Sequence, residues 1–302
     1  MFELFSHSGS GVVLAVASSF SYAGTLILIR RGMQTGSSMA AILLIDIIVG
    51  TGALVVAYAL GTIHTASFDQ IFWFSLSGLL GAGFGTVTYF IGIERIGVSR
   101  ATPIHSASPI WAVFFAMAVL GERPQASVIT GTILIVVGVC LLSWPEKEDA
   151  PGVRGWIDRG SLYPLVSSVG YAVSPIFIKL AFTHGKAPFL GIAISFWVGL
   201  GVMFAGRRLL PGGGEIIADR KSWGLFALAA LFNLAASGFL WSAFSRGDIT
   251  IILPLSRITP LWVVLLSIFF LKDIEKVTLR ILSAAILIVL AGVLITAAAG
   301  AN

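Results

Sequence analysis

Of 302 residues, only 11% are charged, four are histidine and one is cysteine. Each shortage removes a class of protein. A soluble domain carries roughly 25% charged residues, so this chain is too poor in charge to be one. Cys140 sits alone within the apolar run from Ile133 to Leu142, so neither an intrachain disulfide nor a thiolate metal cluster can be built. The histidines are His7, His64, His105 and His184. They form no H-E-x-x-H pair, and the chain has no G-x-S-x-G elbow and no phosphate-binding loop of the Walker kind. Hydrolytic metal chemistry, serine-nucleophile chemistry and direct ATP drive are therefore not expected, and neither a cofactor nor a metal is. The net charge of +5 is spread through short gaps between apolar runs and forms no patch, which argues against a nucleic-acid partner. Basic residues are also missing ahead of the first apolar run, which extends to about Ile29. That run is longer than a signal-peptide core and is read as a retained first span.

What is abundant is hydrocarbon. Hydrophobic residues make up 57% of the chain, and the mean hydropathy is +0.98. A helix needs about 20 mostly apolar residues to cross a bilayer, and the sequence offers ten such stretches, near 10–30, 38–60, 71–93, 99–120, 126–144, 161–182, 188–206, 223–245, 249–271 and 278–299. The partner they imply is the lipid bilayer. The longest polar break, Pro145 to Gly160, divides them five and five. The expected organisation is a five-helix repeat over 10–144, a linker over 145–160 and a second five-helix repeat over 161–299.

The halves match in sequence. Pro103, Pro109, Trp111, Val113, Leu120 and Glu122 return 151 residues later as Pro254, Pro260, Trp262, Val264, Leu271 and Asp273. Ser18, Ser19, Tyr22, Ala23 and Arg30 return 149 residues later as Ser167, Ser168, Tyr171, Ala172 and Lys179. Because five is odd, the second repeat enters the membrane in the opposite sense to the first. The expected fold class is thus an all-α membrane protein of ten transmembrane helices in two inverted repeats, a plan in which substrate binds between the repeats. Fourteen of the nineteen basic residues follow spans 1, 3, 5, 7 and 9, and four, Arg123, Lys179, Lys186 and Arg246, fall on the other face. By the positive-inside rule both termini are expected outside the cytoplasm of a multi-pass cell-membrane protein, a bacterial inner membrane being the expected location.

The run Leu120-Gly121-Glu122-Arg123, the glycines Gly131 and Gly138, and the mid-helix pairs Ser108-Pro109 and Thr259-Pro260 resemble the EamA repeat of the drug/metabolite transporter superfamily. The resemblance covers nearly the whole chain. It implies a ten-helix inverted-repeat fold with a central cavity lined by spans 1, 3, 4, 6, 8 and 9. It does not select a substrate, since relatives with this pattern include exporters of amino acids and other small metabolites as well as sugar-phosphate and nucleotide-sugar carriers. Two features depart from it. Asp46 stands where many relatives have a basic residue, and the loop charges oppose the cytoplasmic termini usual in the family.

Ionisable groups inside spans carry an insertion penalty of about 2.5–3.5 kcal/mol at mid-helix, so each invites a functional reading. Arg257, with His105, is the candidate to hold an anionic group, and the competing reading is an Asp46–Arg257 ion pair. Asp46 and His105 are the candidates for proton coupling. For His105 a neutral ring bonded to a backbone carbonyl freed by Pro109 is equally compatible with the sequence. Tyr22, Tyr171, Asn233, Ser106 and Ser256 complete the candidate substrate-binding set. Pro103, Pro109, Pro254 and Pro260 are the candidate hinges, since interrupted helices at equivalent positions mark the binding region of transporters. The function expected is secondary transport of small polar metabolites such as amino acids, by alternating access, as a monomer or homodimer. The expected direction is export, coupled to protons. The alternatives are a carrier of sugar phosphates or nucleotide sugars and a structural membrane protein without transport.

Overall fold

The computed structural model describes residues 7–96, 98–143, 159–209, 214–270 and 279–300. Every regular element among them is helical. Helix α1 spans His7–Gly32 and α2 spans Ser38–Ala59. Helix α3, Phe68–Gly78, runs through a π-helical segment, Leu79–Gly85, into α4, Thr86–Ile96. Helix α5, Val98–His105, stops two residues before α6, Ser108–Phe115, which passes into a second π-helical segment, Ala116–Leu120. Helix α7, Ala126–Ser143, completes the first half. The second half contains α8, Leu162–Phe182; α9, Pro188–Gly206; α10, Arg220–Phe244; α11, Ile249–Ser256; α12, Thr259–Phe270; and α13, Leu279–Gly300.

Seven of the helical stretches are long and apolar enough to cross a membrane: Gly9–Gly32, Ser38–Ala59, Phe68–Ile93, Arg100–Leu120, Arg159–Phe182, Pro188–Leu209 and Arg220–Phe244. The other three regions expected to span, the fifth, ninth and tenth, carry shorter apolar helices at Ala126–Leu142, Ile249–Val263 and Ser283–Ala298. Part of that shortfall lies in residues 271–278, which are outside the described set together with most of the expected linker.

The polar residues at the helix ends explain where the apolar runs begin. Ser37 caps α2 by accepting from the Ala40 amide at 3.2 Å. Ser67 and Gln70 form a reciprocal capping box at α3, satisfying donors that the first turn leaves open. Asp219 caps α10 by accepting from the Ser222 amide at 2.8 Å, and its carboxyl, which also accepts from Thr35 Oγ1 at 3.1 Å, is held below the usual carboxylate range by such hydrogen bonds. Glu122 reaches across the halves. Its two oxygens accept the amides of Ile249 and Thr250, each at 2.9 Å, at the start of α11. Gly121, at φ 68°, makes this possible by ending the preceding segment in the left-handed region that glycine enters without penalty. An anion at a helix N-terminus meets both open N–H groups and the positive end of the dipole. Glu122→Ala should therefore destabilise the protein by about 1–2 kcal/mol and Glu122→Gln by less, read as thermal midpoints in detergent.

Small residues set the packing. Gly131 and Gly138 lie seven residues apart on α7, and a Cβ at either would meet Ile295 or Ile288 of α13 at 2.6 Å. Gly78 brings α3 against the backbone of α9 at Ser195, whose Cα would stand 2.6 Å from an added Cβ. Helix α1 lies along α10, and α8 lies along α3 and α4.

The sequence repeat returns as repeated contacts. Ser18 Oγ donates to the Ala236 carbonyl at 2.8 Å, and Ser167 Oγ donates to the Gly85 carbonyl at 2.6 Å. Gln70 Nε2, beside the capped start of α3, donates to Gly185 beyond the end of α8, while Ser222 Oγ, beside the capped start of α10, donates to Gly32 at the end of α1.

Candidate functional site

The double-proline segments are interrupted in the same place. The helix breaks at Ser106-Ala107 in the first half and at Arg257-Ile258 in the second, positions 151 residues apart. The local bonds match: Ala107 N to Ile104 O (3.2 Å) parallels Ile258 N to Leu255 O (3.3 Å), and Ile110 N to Ala107 O (3.0 Å) parallels Leu261 N to Ile258 O (2.9 Å). The four prolines divide into two roles. Pro103 and Pro254 lie inside helices and remove a bond there. Pro109 and Pro260 are the second residues of α6 and α12, where an N–H would be unpaired in any case, so they restart the helix with no bond lost.

The breaks carry unlike residues. Arg257 stands at one, in the sparsely populated bridge region (φ −85°, ψ 2°), and Ser106 at the other. Arg257 is half-buried, its Nε is buried without a hydrogen-bond partner, and no carboxylate among the described residues lies within 4.0 Å of it. The Asp46–Arg257 ion pair considered above is therefore not formed. Asp46, only 8% exposed in α2, also receives no hydrogen bond from a described residue. The Arg257 charge is felt at Tyr22, His105 and Tyr171, and the Asp46 charge at both of these tyrosines. Tyr22 and Tyr171 thus lie within electrostatic reach of both the cation and the carboxylate, and His105 within reach of the cation.

His105, the last residue of α5, is fixed by its neighbours. Its Nδ1 lies 3.1 Å from Ser167 Oγ. Ser167 has one hydroxyl proton and directs it to the Gly85 carbonyl at 2.6 Å, so Nδ1 must be the donor to Ser167. In the neutral ring this leaves Nε2 as an acceptor, without a partner among the described residues. The ring lies 4.3 Å from Tyr89, tilted by 33°, and 4.9 Å from Tyr171 at 90°. The carbonyl that Ser167 serves closes the first π-helical segment, a helix distortion frequent at functional sites. The ring thus bonds to the Ser167 hydroxyl and not to a carbonyl freed by Pro109.

The two tyrosines differ. Tyr171 pairs its hydroxyl with Thr86 Oγ1 at 2.7 Å. Tyr22 is 40% exposed, and its hydroxyl has no partner among the described residues. Asn233 Oδ1 accepts from Ser237 Oγ at 3.2 Å, which leaves the amide hydrogens of Asn233 available. Ser106 donates to Thr102 O at 2.8 Å and Ser256 to Leu253 O at 2.7 Å, so both serine hydroxyls are committed to their own helices. No three His, Cys, Asp or Glu side chains among the described residues are grouped to hold a metal ion. Tyr89, Thr86 and Thr102 were not in the expected set. Tyr89 holds Thr102 Oγ1 at 2.9 Å and flanks His105. None of the three falls in a matched motif, so the repeat gave no signal for them.

A multi-pass helical protein with two matched helix breaks, one of them carrying a half-buried cation, has the architecture of a membrane transporter. The chain belongs to the EamA-like transporter family of the drug/metabolite transporter superfamily, whose family model matches residues 9–144 and 158–297. It is 29% identical over 188 residues to a "Putative sugar uptake protein" of Bacillus cereus, covering 61% of this chain and 59% of that protein. It is 28% identical over 132 residues to a "Putative ribose uptake protein RbsU" of Staphylococcus aureus, covering 40% of this chain and 43% of that one. These matches thus span less than two thirds of the relatives' length. A solved crystal structure shares the fold, with a TM-score of 0.79 at 15% identity over 96% of this chain and 97% of the other.

Proposed function

We propose that the chain is a secondary transporter of small polar metabolites bearing a carboxylate, such as amino acids, working by alternating access between two inverted five-helix repeats. The observation that carries this is Arg257. It is a cation at a helix break with no counter-ion among the described residues, and a carboxylate ligand would supply one, held by charge-assisted hydrogen bonds. The open hydroxyl of Tyr22, the free amide hydrogens of Asn233 and the acceptor Nε2 of His105 are the polar groups that orient such a solute. Ser106 and Ser256, at the two breaks, border it, and Asp46 exchanges the coupling proton during export. Pro103, Pro109, Pro254 and Pro260 hold the two breaks that serve as hinges.

Ten spans complete the architecture, with Ala126–Leu142, Ile249–Val263 and Ser283–Ala298 crossing a bilayer that thins or lets flanking residues reach its surface. The repeats occupy 10–144 and 161–299, joined by 145–160. The paired serine-to-carbonyl bonds and the capped starts of α3 and α10, each meeting the end of the other half's first helix, support the inversion. Both termini face away from the cytoplasm of the cell membrane, and a reporter fused at Asn302 should be active only in the external compartment; cytoplasmic activity would reverse the topology.

The names of the relatives favour a second reading, uptake of a neutral sugar such as ribose. Purified protein in vesicles, supplied with an amino-acid pool, ribose, nucleosides or sugar phosphates under an imposed proton gradient, separates the two. Carboxylate-bearing solutes should exchange at least about tenfold faster than ribose. Faster ribose movement that is indifferent to the gradient would establish the sugar reading and remove Asp46 from coupling.

A further inference from the structure

Two contacts are made once where the repeat provides for them twice. Trp262 Nε1, on α12, donates to Ser19 Oγ of α1 at 2.9 Å. The matched residues in the other half are Trp111 of α6 and Ser168 of α8. Helix α6 packs on α8 as α12 packs on α1, yet Trp111 Nε1 is buried without a partner. The acceptor is ready. Ser19 and Ser168 both donate to their own helices, to Val16 O and Leu165 O, each at 2.7 Å, so each keeps lone pairs for an indole, and only Ser19 receives one.

The tyrosines show the same asymmetry. The duplicated bonds of Ser18 to Ala236 and Ser167 to Gly85 set the register between α4 and α10 at 151 residues, which makes Ser237 the counterpart of Thr86. Tyr171 is bonded to Thr86 at 2.7 Å. Tyr22 is not bonded to Ser237, which donates instead to Asn233 Oδ1 at 3.2 Å. Loose repeat geometry does not explain this, because the serine-to-carbonyl pair and two of the backbone bonds at each helix break, from Ala107 and Ile110 and from Ile258 and Leu261, are present in duplicate.

We propose that the chain changes state by exchanging these bonds as a set: Trp111–Ser168 and Tyr22–Ser237 form as Trp262–Ser19 and Tyr171–Thr86 open. The inference rests on the inverted-repeat reading. With a two-fold axis in the membrane plane, the exchanged set is the present arrangement seen from the other face of the bilayer, so a cavity open to one side becomes a cavity open to the other. The number of indole and phenol bonds is the same before and after. The exchange of these bonds therefore adds little to the energy difference between the two states, which leaves a solute or a proton able to tip the equilibrium. Tyr22 ties the exchange to the site, since its hydroxyl is open to a solute in this state and engaged by Ser237 in the other.

The test uses the full chain in lipid nanodiscs with ¹⁵N-labelled tryptophan, the indole N–H signals of Trp111 and Trp262 being assigned from Trp111→Phe and Trp262→Phe. The two bonded populations should be reciprocal. Ser19→Ala should move the ratio toward bonded Trp111, and Ser168→Ala toward bonded Trp262, each by roughly two- to tenfold, the span expected for one net hydrogen bond. Thr86→Val touches neither indole bond and should act in the same direction as Ser19→Ala, a response that purely local roles would not produce. Indoles unmoved by Thr86→Val, or Trp111 and Trp262 bonded at the same time, would overturn the exchange even where solute flux persists. Reciprocal indole populations in a protein that moves no solute would support the exchange and reject the transport reading.

Discussion

Arg257→Ala should lower solute flux in reconstituted vesicles by at least about 100-fold, roughly 2.7 kcal/mol of lost binding to the moving state, while the protein still inserts and runs as a single species. The separation of the two effects is the point. Truncating a buried member of an ion pair destabilises a protein because the partner is stranded, but Arg257 has no described carboxylate within ion-pair distance and its Nε has no hydrogen-bond partner. Removing it relieves an unmet donor and an insertion penalty, so the thermal midpoint should stay the same or rise. Arg257→Lys keeps the charge and loses the planar fork that grips a carboxylate in two places; about tenfold loss is expected. Full flux in the alanine variant would take this residue out of the site, and a collapse of the midpoint would make its role structural.

Gly78→Val should leave little folded protein. A Cβ at Gly78 would stand 2.6 Å from the Ser195 Cα and closer still to its carbonyl oxygen. These are backbone atoms, so relief requires moving α3 away from α9 and not a change of rotamer. Overpacking that side chains can absorb costs about 1–3 kcal/mol, and a backbone clash enlarged by a branched side chain exceeds that range. Gly201→Ala is the control, since an added Cβ there meets nothing within 4 Å. Size-exclusion profiles and thermal midpoints should show Gly201→Ala like the parent and Gly78→Val aggregated or absent from the membrane. A monodisperse Gly78→Val with an unchanged midpoint would mean that the two helices are less tightly apposed than this.

The repeat made the helix breaks legible before any coordinates, because proline chemistry at 103, 109, 254 and 260 leaves few ways to run a helix. It did not tell which proline interrupts and which restarts, since that depends on where the intervening residues turn. Arg257 and His105 stood out as ionisable groups in apolar runs. Their surroundings did not, because Tyr89, Thr86 and Thr102 carry no charge and look like ordinary residues of a span. The proton of His105 is placed by the single hydroxyl hydrogen of Ser167, a relation across 62 positions that no local pattern encodes. The π-helical segments were likewise invisible: Leu79–Gly85 reads as one more apolar, glycine-rich stretch, and its wider turn lies where α8 and α9 pack against it. The resemblance to the EamA repeat is read from Gly131, Gly138 and the run ending in Glu122 and Arg123, and the contacts of the glycines with α13 and of Glu122 with α11 show what those residues hold together.

The two helix breaks have one further consequence. An assembly of two identical half-length chains would present the same residue at both breaks, either two arginines repelling across a common space or two serines with no charge at all. Joining the halves in one polypeptide removes that constraint. One break keeps Ser106 and the other acquires Arg257, so a frame that is nearly symmetric carries a fixed positive charge at one of its two breaks alone.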